Sequence, residues 1–221
     1  MTGQLAFDLP VAQTFRREDF FTSPANAAAF AMIKAPTTRH LLLIGPHGAG
    51  KSHLLHIWAR LTEAEIVTHE ALPQRLPDLA RDAAIAVDNA DAPDRDEAAF
   101  FHLYNTLAPS GRLLLTATTP PRDWGLTLPD LLSRLQSMPH LILAPPDDAL
   151  LSAVLIKLFA DRQIAVPPNL IPYLVSRMHR SIAAARSLVA ALDGAALAAA
   201  RPVTRALAAE LLDTQTELPF G

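Results

Sequence analysis

The sequence contains no cysteine. Disulfides and thiolate-held zinc are thereby excluded, and a reducing intracellular compartment is the natural default. No apolar run is long enough to cross a bilayer, and the opening MTGQLAFDLPVAQTFRRED lacks the basic start and continuous apolar stretch of a secretory signal. No membrane partner is expected, and the predicted location is cytoplasmic. A basic arm is missing too, since 19 Lys plus Arg face 22 Asp plus Glu for a formal net charge of −3. That balance argues against strong sequence-independent affinity for nucleic acid, so contact with DNA should be weak or indirect. Glycine is scarce at eight residues, and lysine scarcer still at Lys34, Lys51 and Lys157. Three of those glycines and one of those lysines nevertheless share a single stretch, GPHGAGKS, from Gly45 to Ser52.

Half of the 221 residues are hydrophobic, enough to bury a real core. Residues 1–17 show no periodicity and read as a flexible tail. NAAAFAMIKA then reads as a helix behind the cap candidate Ser23, and HLLLIG as a buried strand. EIVTH, AAIAVDN, RLLLTATT and HLILA are the further strand candidates. Between them DEAAFFHLYNTLA, with Phe100, Leu103, Tyr104 and Leu107 on one face, and LPDLLSRLQSM have helical spacing. Strands alternating with helices predict an α/β parallel sheet flanked by helices. Past Pro145 and Pro146 the pattern turns to four helical segments with no strand among them. The expected organisation is a tail at 1–17, an α/β nucleotide-binding domain at 18–146, and a small all-helical lid at 147–221.

GPHGAGKS satisfies the phosphate-loop pattern G-x-x-x-x-G-K-[ST] with Gly45, Gly50, Lys51 and Ser52, in the required order of strand, loop and helix. Glycines let successive backbone N–H groups face phosphate, a lysine neutralises the outer phosphates, and the serine hydroxyl is a Mg²⁺ ligand. Gly48 and His53 complete the expected nucleotide contacts. Such a site also needs an acid at the end of a neighbouring buried strand, and Asp88 after AIAV supplies it as the second Mg²⁺ residue. The next residue is Asn89, whose amide cannot take a proton from attacking water; Asp91 stands two positions further on. The eight histidines form no metal-ligand set, His53 and His56 on the helix after the loop included. Serine and histidine occur without a nucleophile elbow, so a hydrolase triad is unsupported.

With these motifs the chain resembles the AAA+ ATPases, and within them the initiator clade related to DnaA. GPHGAGKSHLLH looks like the clade's nucleotide loop, AIAVDNAD like its acidic strand, and FHLYN, PPRDW and LPDLLSRL are further similar pieces. The short form is similar to those members of the clade that inactivate the initiator after replication begins. It stops where DnaA continues into a helix-turn-helix domain, which favours a regulator over an initiator. The resemblance implies that Arg134 in LPDLLSRL is an arginine finger presented to ATP on a neighbouring subunit. It implies that Arg180 in MHRS is the lid arginine contacting nucleotide on its own subunit, and that Thr118 occupies a sensor position. Gln4, Leu5, Phe7 and Leu9 in QLAFDL resemble the hexapeptide with which such regulators dock on the sliding clamp of the replicative polymerase. An extended peptide with one hydrogen-bonding glutamine and spaced apolar side chains suits a preformed groove.

The implied ligands are ADP or ATP with Mg²⁺, and the implied partners are DnaA and the clamp, with DNA reached through the clamp. Self-association stays open. Asn89 and Thr118 stand where DnaA carries acidic groups, so efficient hydrolysis by the chain itself is not expected, and ADP as a structural ligand is the better expectation. Two other functional classes remain: an autonomous small P-loop ATPase or kinase, and a nucleotide-independent adaptor between the clamp and another partner.

Overall fold

The computed structural model describes residues 20–35 and 38–216, the side chains of 214–216 excepted. The tail motif of Gln4, Leu5, Phe7 and Leu9 lies outside the described residues, as does Asp19.

Five strands form one sheet: β1 (His40–Ile44), β2 (Glu65–Val67), β3 (Ala84–Val87), β4 (Arg112–Ala117) and β5 (His140–Ile142). Their order is β2-β3-β4-β1-β5, and every pairing is parallel. The helices interleaved with them are α1 (Ala27–Ile33), α2 (Lys51–Thr62), α3 (Leu72–Arg75), α4 (Glu97–Leu107) and α5 (Pro129–Ser137). The apolar run of β1 is explained by burial on both faces, because side chains alternate across a strand. Leu41 and Leu43 pack with Leu54, Leu55 and Trp58 of α2 and Ala29 and Ile33 of α1. Leu42 and Ile44 join Phe100, Leu103 and Leu107 of α4 and Leu131 and Leu135 of α5. The parallel α/β sheet flanked by helices is therefore the architecture of the chain.

α6 (Asp148–Asp161), α7 (Leu170–Val175), α8 (Ile182–Ala198) and α9 (Arg205–Thr216) follow the sheet. They bury a separate core around Leu151, Leu155, Phe159, Leu174, Leu188 and Leu192. The Asp147 carboxylate caps α6 by accepting from the Leu150 N–H at 2.7 Å, and the Ser181 hydroxyl caps α8 by accepting from the Ala184 N–H at 3.0 Å. Caps of this kind contribute about 1 kcal/mol each.

One local expectation is corrected, and one element is added to those the sequence predicts. Ser23 does not cap the first helix, which starts at Ala27 behind Asn26. Pro24 biases Ser23 away from helical backbone, and the Asn26 side chain is turned backwards: its Oδ1 accepts from the Ser23 N–H at 2.9 Å and its Nδ2 donates to the Phe21 carbonyl at 2.9 Å. The short helix α3 was not expected either. Its ALPQRLPD sequence carries two prolines, each in the first turn of a short helical piece, where the missing N–H costs nothing.

Candidate phosphate-binding site

β1 delivers the chain into the Gly45–Ser52 loop at the carboxyl end of the sheet's interior, and α2 leaves from it. The loop cannot be built without its glycines. Gly48 and Gly50 have φ of +74° and +98°, in the left-handed region that favours glycine. A Cβ at Gly45 would stand 2.8 Å from the Leu143 carbonyl oxygen, and one at Gly48 would stand 2.4 Å from Ser181 Cβ. Gly50 is the N-cap of the twelve-residue α2, and no side chain caps that end. The first N–H groups of α2, including those of Lys51, Ser52 and His53, are thus left for an anion, with the helix dipole favouring negative charge.

Lys51 is only 6% exposed. Its ammonium donates to the carbonyls of Gly45 at 2.7 Å and Pro46 at 3.1 Å. Burial lowers its pKa, opposed by the carboxylates of Asp88 and Asp91. Both acids therefore act on the same loop. His53, next along α2, meets the edge of the Phe20 ring at 5.3 Å, and Phe20 stacks on Phe30 at 5.0 Å. His53 thus joins an aromatic cluster with Phe20 and Phe30. Burial also lowers the pKa of His56, against the field of Asp88.

Asp88 directly follows β3 and accepts a hydrogen bond from the Thr116 hydroxyl of β4. Thr116 is fully buried, and its Oγ1 also accepts from the Asn89 N–H at 3.0 Å. Its carbonyl takes the Ala90 N–H at 2.7 Å. No motif marks Thr116; its signal was one hydroxyl inside the apolar run RLLLTA. Asn89 has φ of 53°, a conformation asparagine tolerates better than most residues, so its place after Asp88 has a backbone reason.

Asp91 folds back over the end of β4. One carboxylate oxygen accepts from the N–H groups of Thr118 at 2.7 Å and Thr119 at 3.2 Å, and from the Thr118 hydroxyl. Burial pushes its pKa up, but the Thr118 hydroxyl and the two amides outweigh it, holding the carboxyl below its ordinary range. Thr118 is therefore the partner of Asp91. Among the described residues no group of three or more acidic, histidine or cysteine side chains could hold a metal ion. Ser52 in the first turn of α2 and Asp88 at the end of β3 are the oxygen-bearing groups that would hold a Mg²⁺, its other oxygens coming from phosphate and water.

The two arginines lie in different settings. Arg180 donates to Asp148 at 2.6 Å and to the Pro146 carbonyl at 3.1 Å. Along α8 a further arginine, Arg186, lies one turn beyond Ile182 and so on the same face of the helix. Ile182 N–H donates to the Gly48 carbonyl at 2.9 Å, and burial lowers the pKa of Arg186. Arg134 on α5 lies over the rings of Phe101 at 5.2 Å and Tyr104 at 5.4 Å. Tyr104 in turn packs at 5.3 Å from His40, the first residue of β1. Arg134 therefore sits toward the opposite end of β1 from the loop. Five residues of strand separate the two ends, about 13–17 Å at the usual rise. Among the described residues no carboxylate pairs with it.

No family model matches the sequence. Domain III of the Thermotoga maritima replication initiation protein DnaA superposes with a TM-score of 0.77 at 17% identity, over 96% of this chain and 100% of that one. The chain has the fold of DnaA domain III. AMPPCP-bound DnaA from Aquifex aeolicus matches with a TM-score of 0.64 at 16% identity, over 80% of this chain and 64% of that longer one. The Thermotoga maritima RuvB Holliday junction branch migration motor matches with a TM-score of 0.64 at 18% identity, over 86% of this chain and 65% of its own. The fold thus combines a parallel sheet with the helices α6 to α9, whose Ile182 N–H bonds the Gly48 carbonyl of the loop. Among the described residues no helix is long and apolar enough to cross a membrane.

Proposed function

We propose that the chain is a regulatory inactivator of DnaA of the Hda type, whose loop holds nucleotide to set its shape while Arg134 acts on ATP bound to the partner. The observation that carries this reading is the position of Arg134. It lies without a carboxylate partner among the described residues, on an aromatic shelf near the end of the sheet remote from the loop. An arginine so placed is poor at serving its own loop and well placed to meet a neighbour's. A cation brought to a transferring phosphoryl group contributes on the order of 10³ to 10⁵ in rate.

In this reading residues 18–146 bind ADP or ATP with Mg²⁺, residues 147–221 form the lid, and the 1–17 tail docks on the sliding clamp through Gln4, Leu5, Phe7 and Leu9. Clamp loaded on DNA recruits the chain, which then docks on ATP-bound DnaA. Lys51, the amides of α2 and the half-buried Arg186 hold the chain's own nucleotide; Ser52 and Asp88 orient the ion that screens its phosphates. Chemistry at that loop is slow because Asn89 is no base and the Asp91 carboxylate is engaged by Thr118 and Thr119.

The test is steady-state ATP hydrolysis by ATP-loaded DnaA with clamp on DNA. Wild type, Arg134→Ala and a Gln4→Ala, Leu5→Ala, Phe7→Ala tail variant are compared. Stimulation that needs both Arg134 and the tail is expected. Brisk turnover by the chain alone, abolished by Lys51→Ala and indifferent to Arg134→Ala, would make it an autonomous ATPase instead.

A further inference from the structure

The phosphate loop is gripped from two sides by parts of the chain that lead into the lid. On one side Gly45 backs onto Leu143, at the start of the segment that runs to Asp147, with no room for a Cβ. On the other, Gly48 backs onto Ser181 and its carbonyl accepts the Ile182 N–H, the first amide of α8, at 2.9 Å. Arg180 sits directly before this second contact and reaches back to the segment that follows the first. One of its terminal nitrogens donates to Asp148 at 2.6 Å and the other to the Pro146 carbonyl at 3.1 Å. Reaching a phosphate on the loop would require it to release both.

We propose that Arg180 is a latch between the start of α8 and the segment that leaves β5, a positioning residue that keeps Ser181 and Ile182 seated on the phosphate loop through its bonds to the Pro146 carbonyl and to Asp148 at the start of α6. The seating of α8 on the loop is then preset by protein contacts before nucleotide arrives.

The latch has a readout that needs no nucleotide, so its failure is separable from failure of the nucleotide reading. The Ile182 amide is an N-terminal helix donor whose one acceptor is on the loop, and without that acceptor it would exchange freely. Residue-resolved hydrogen exchange is measured on the nucleotide-free full chain for wild type, Arg180→Ala, Asp148→Asn and the charge swap Arg180→Asp with Asp148→Arg. Gly48→Ala, which drives a Cβ into Ser181, marks the undocked limit.

Both single variants should exchange Ile182 about two- to fivefold faster, the size expected of a half-exposed ion pair. Arg180→Ala should have the larger effect because it loses the Pro146 bond as well, and the swap should recover part of the protection. Dissociation of a fluorescent ADP should quicken in the same order. Unchanged Ile182 exchange in Arg180→Ala would overturn the latch. So would a loss of ADP affinity in Arg180→Ala that Asp148→Asn does not share and the swap does not restore.

Discussion

The two ends of the sheet differ in how their polar groups are spent. At the carboxyl end the charged side chains are engaged within the chain, Lys51 with loop carbonyls, Asp88 with Thr116, Asp91 with Thr118 and Thr119, while the first N–H groups of α2 stay open. At the amino end Arg134 rests on two rings, and neither of the buried ring nitrogens of His40 finds a hydrogen-bond partner. An end built from mutually satisfied groups is preorganised and rigid, as a binding site must be. An arginine held by cation–π contact and no carboxylate gives up little to leave, since such contacts are worth about 0.5–2 kcal/mol between exposed and desolvated sites. In the proposed reading the contrast separates a loop that would hold a ligand from a side chain that would act on a neighbour.

The largest effect should come from the amino end. Arg134→Ala is expected to remove stimulation of partner hydrolysis by about 10³-fold or more while leaving the chain's own ADP affinity unchanged by calorimetry. Arg134→Lys keeps the charge but not the planar fork, and should restore only a small part. At the carboxyl end, Lys51→Ala removes a charge-assisted contact and should weaken ADP binding about 10- to 100-fold. If Lys51→Ala and Arg134→Ala gave the same phenotype, the two ends would not be doing separate work.

Smaller effects test the fabric of each end. Thr116→Val leaves the Asp88 carboxylate and the Asn89 N–H short of a partner, and should cost about 1–3 kcal/mol in urea unfolding. At the amino end, burial lowers the pKa of His40, opposed by the nearby Leu107 backbone. A depressed histidine pKa means the unfolded chain binds the proton more readily, so stability should fall as pH drops below 6.5 toward the folded value. His40→Phe should flatten that limb in a pH series of thermal melts; the Asp91 contribution appears only lower, as pH falls through its own depressed pKa.

Much of the carboxyl end was legible from sequence because its signals are local. The run HLLLI, three glycines and Lys51 fall within twelve residues, and apolar alternation fixes which side chains face which helix layer. What escaped depends on pairing across distance. Thr116 meets Asp88 only because β4 lies beside β3 in register, 28 residues away. Arg180 meets Asp148 across 32 residues, so nothing around MHRS could direct it to the start of α6. Arg134 was singled out by resemblance, but its aromatic shelf depends on α4 packing against α5, which local spacing does not encode.

The most direct test of the central claim is single-turnover hydrolysis with γ-labelled ATP loaded on one protein at a time. Label on DnaA should be released rapidly when the wild-type chain and clamp-bound DNA are added, and slowly with Arg134→Ala. Label on this chain should turn over slowly in both cases. Rapid release from this chain's own loop, with DnaA-bound label untouched by Arg134, would contradict the account.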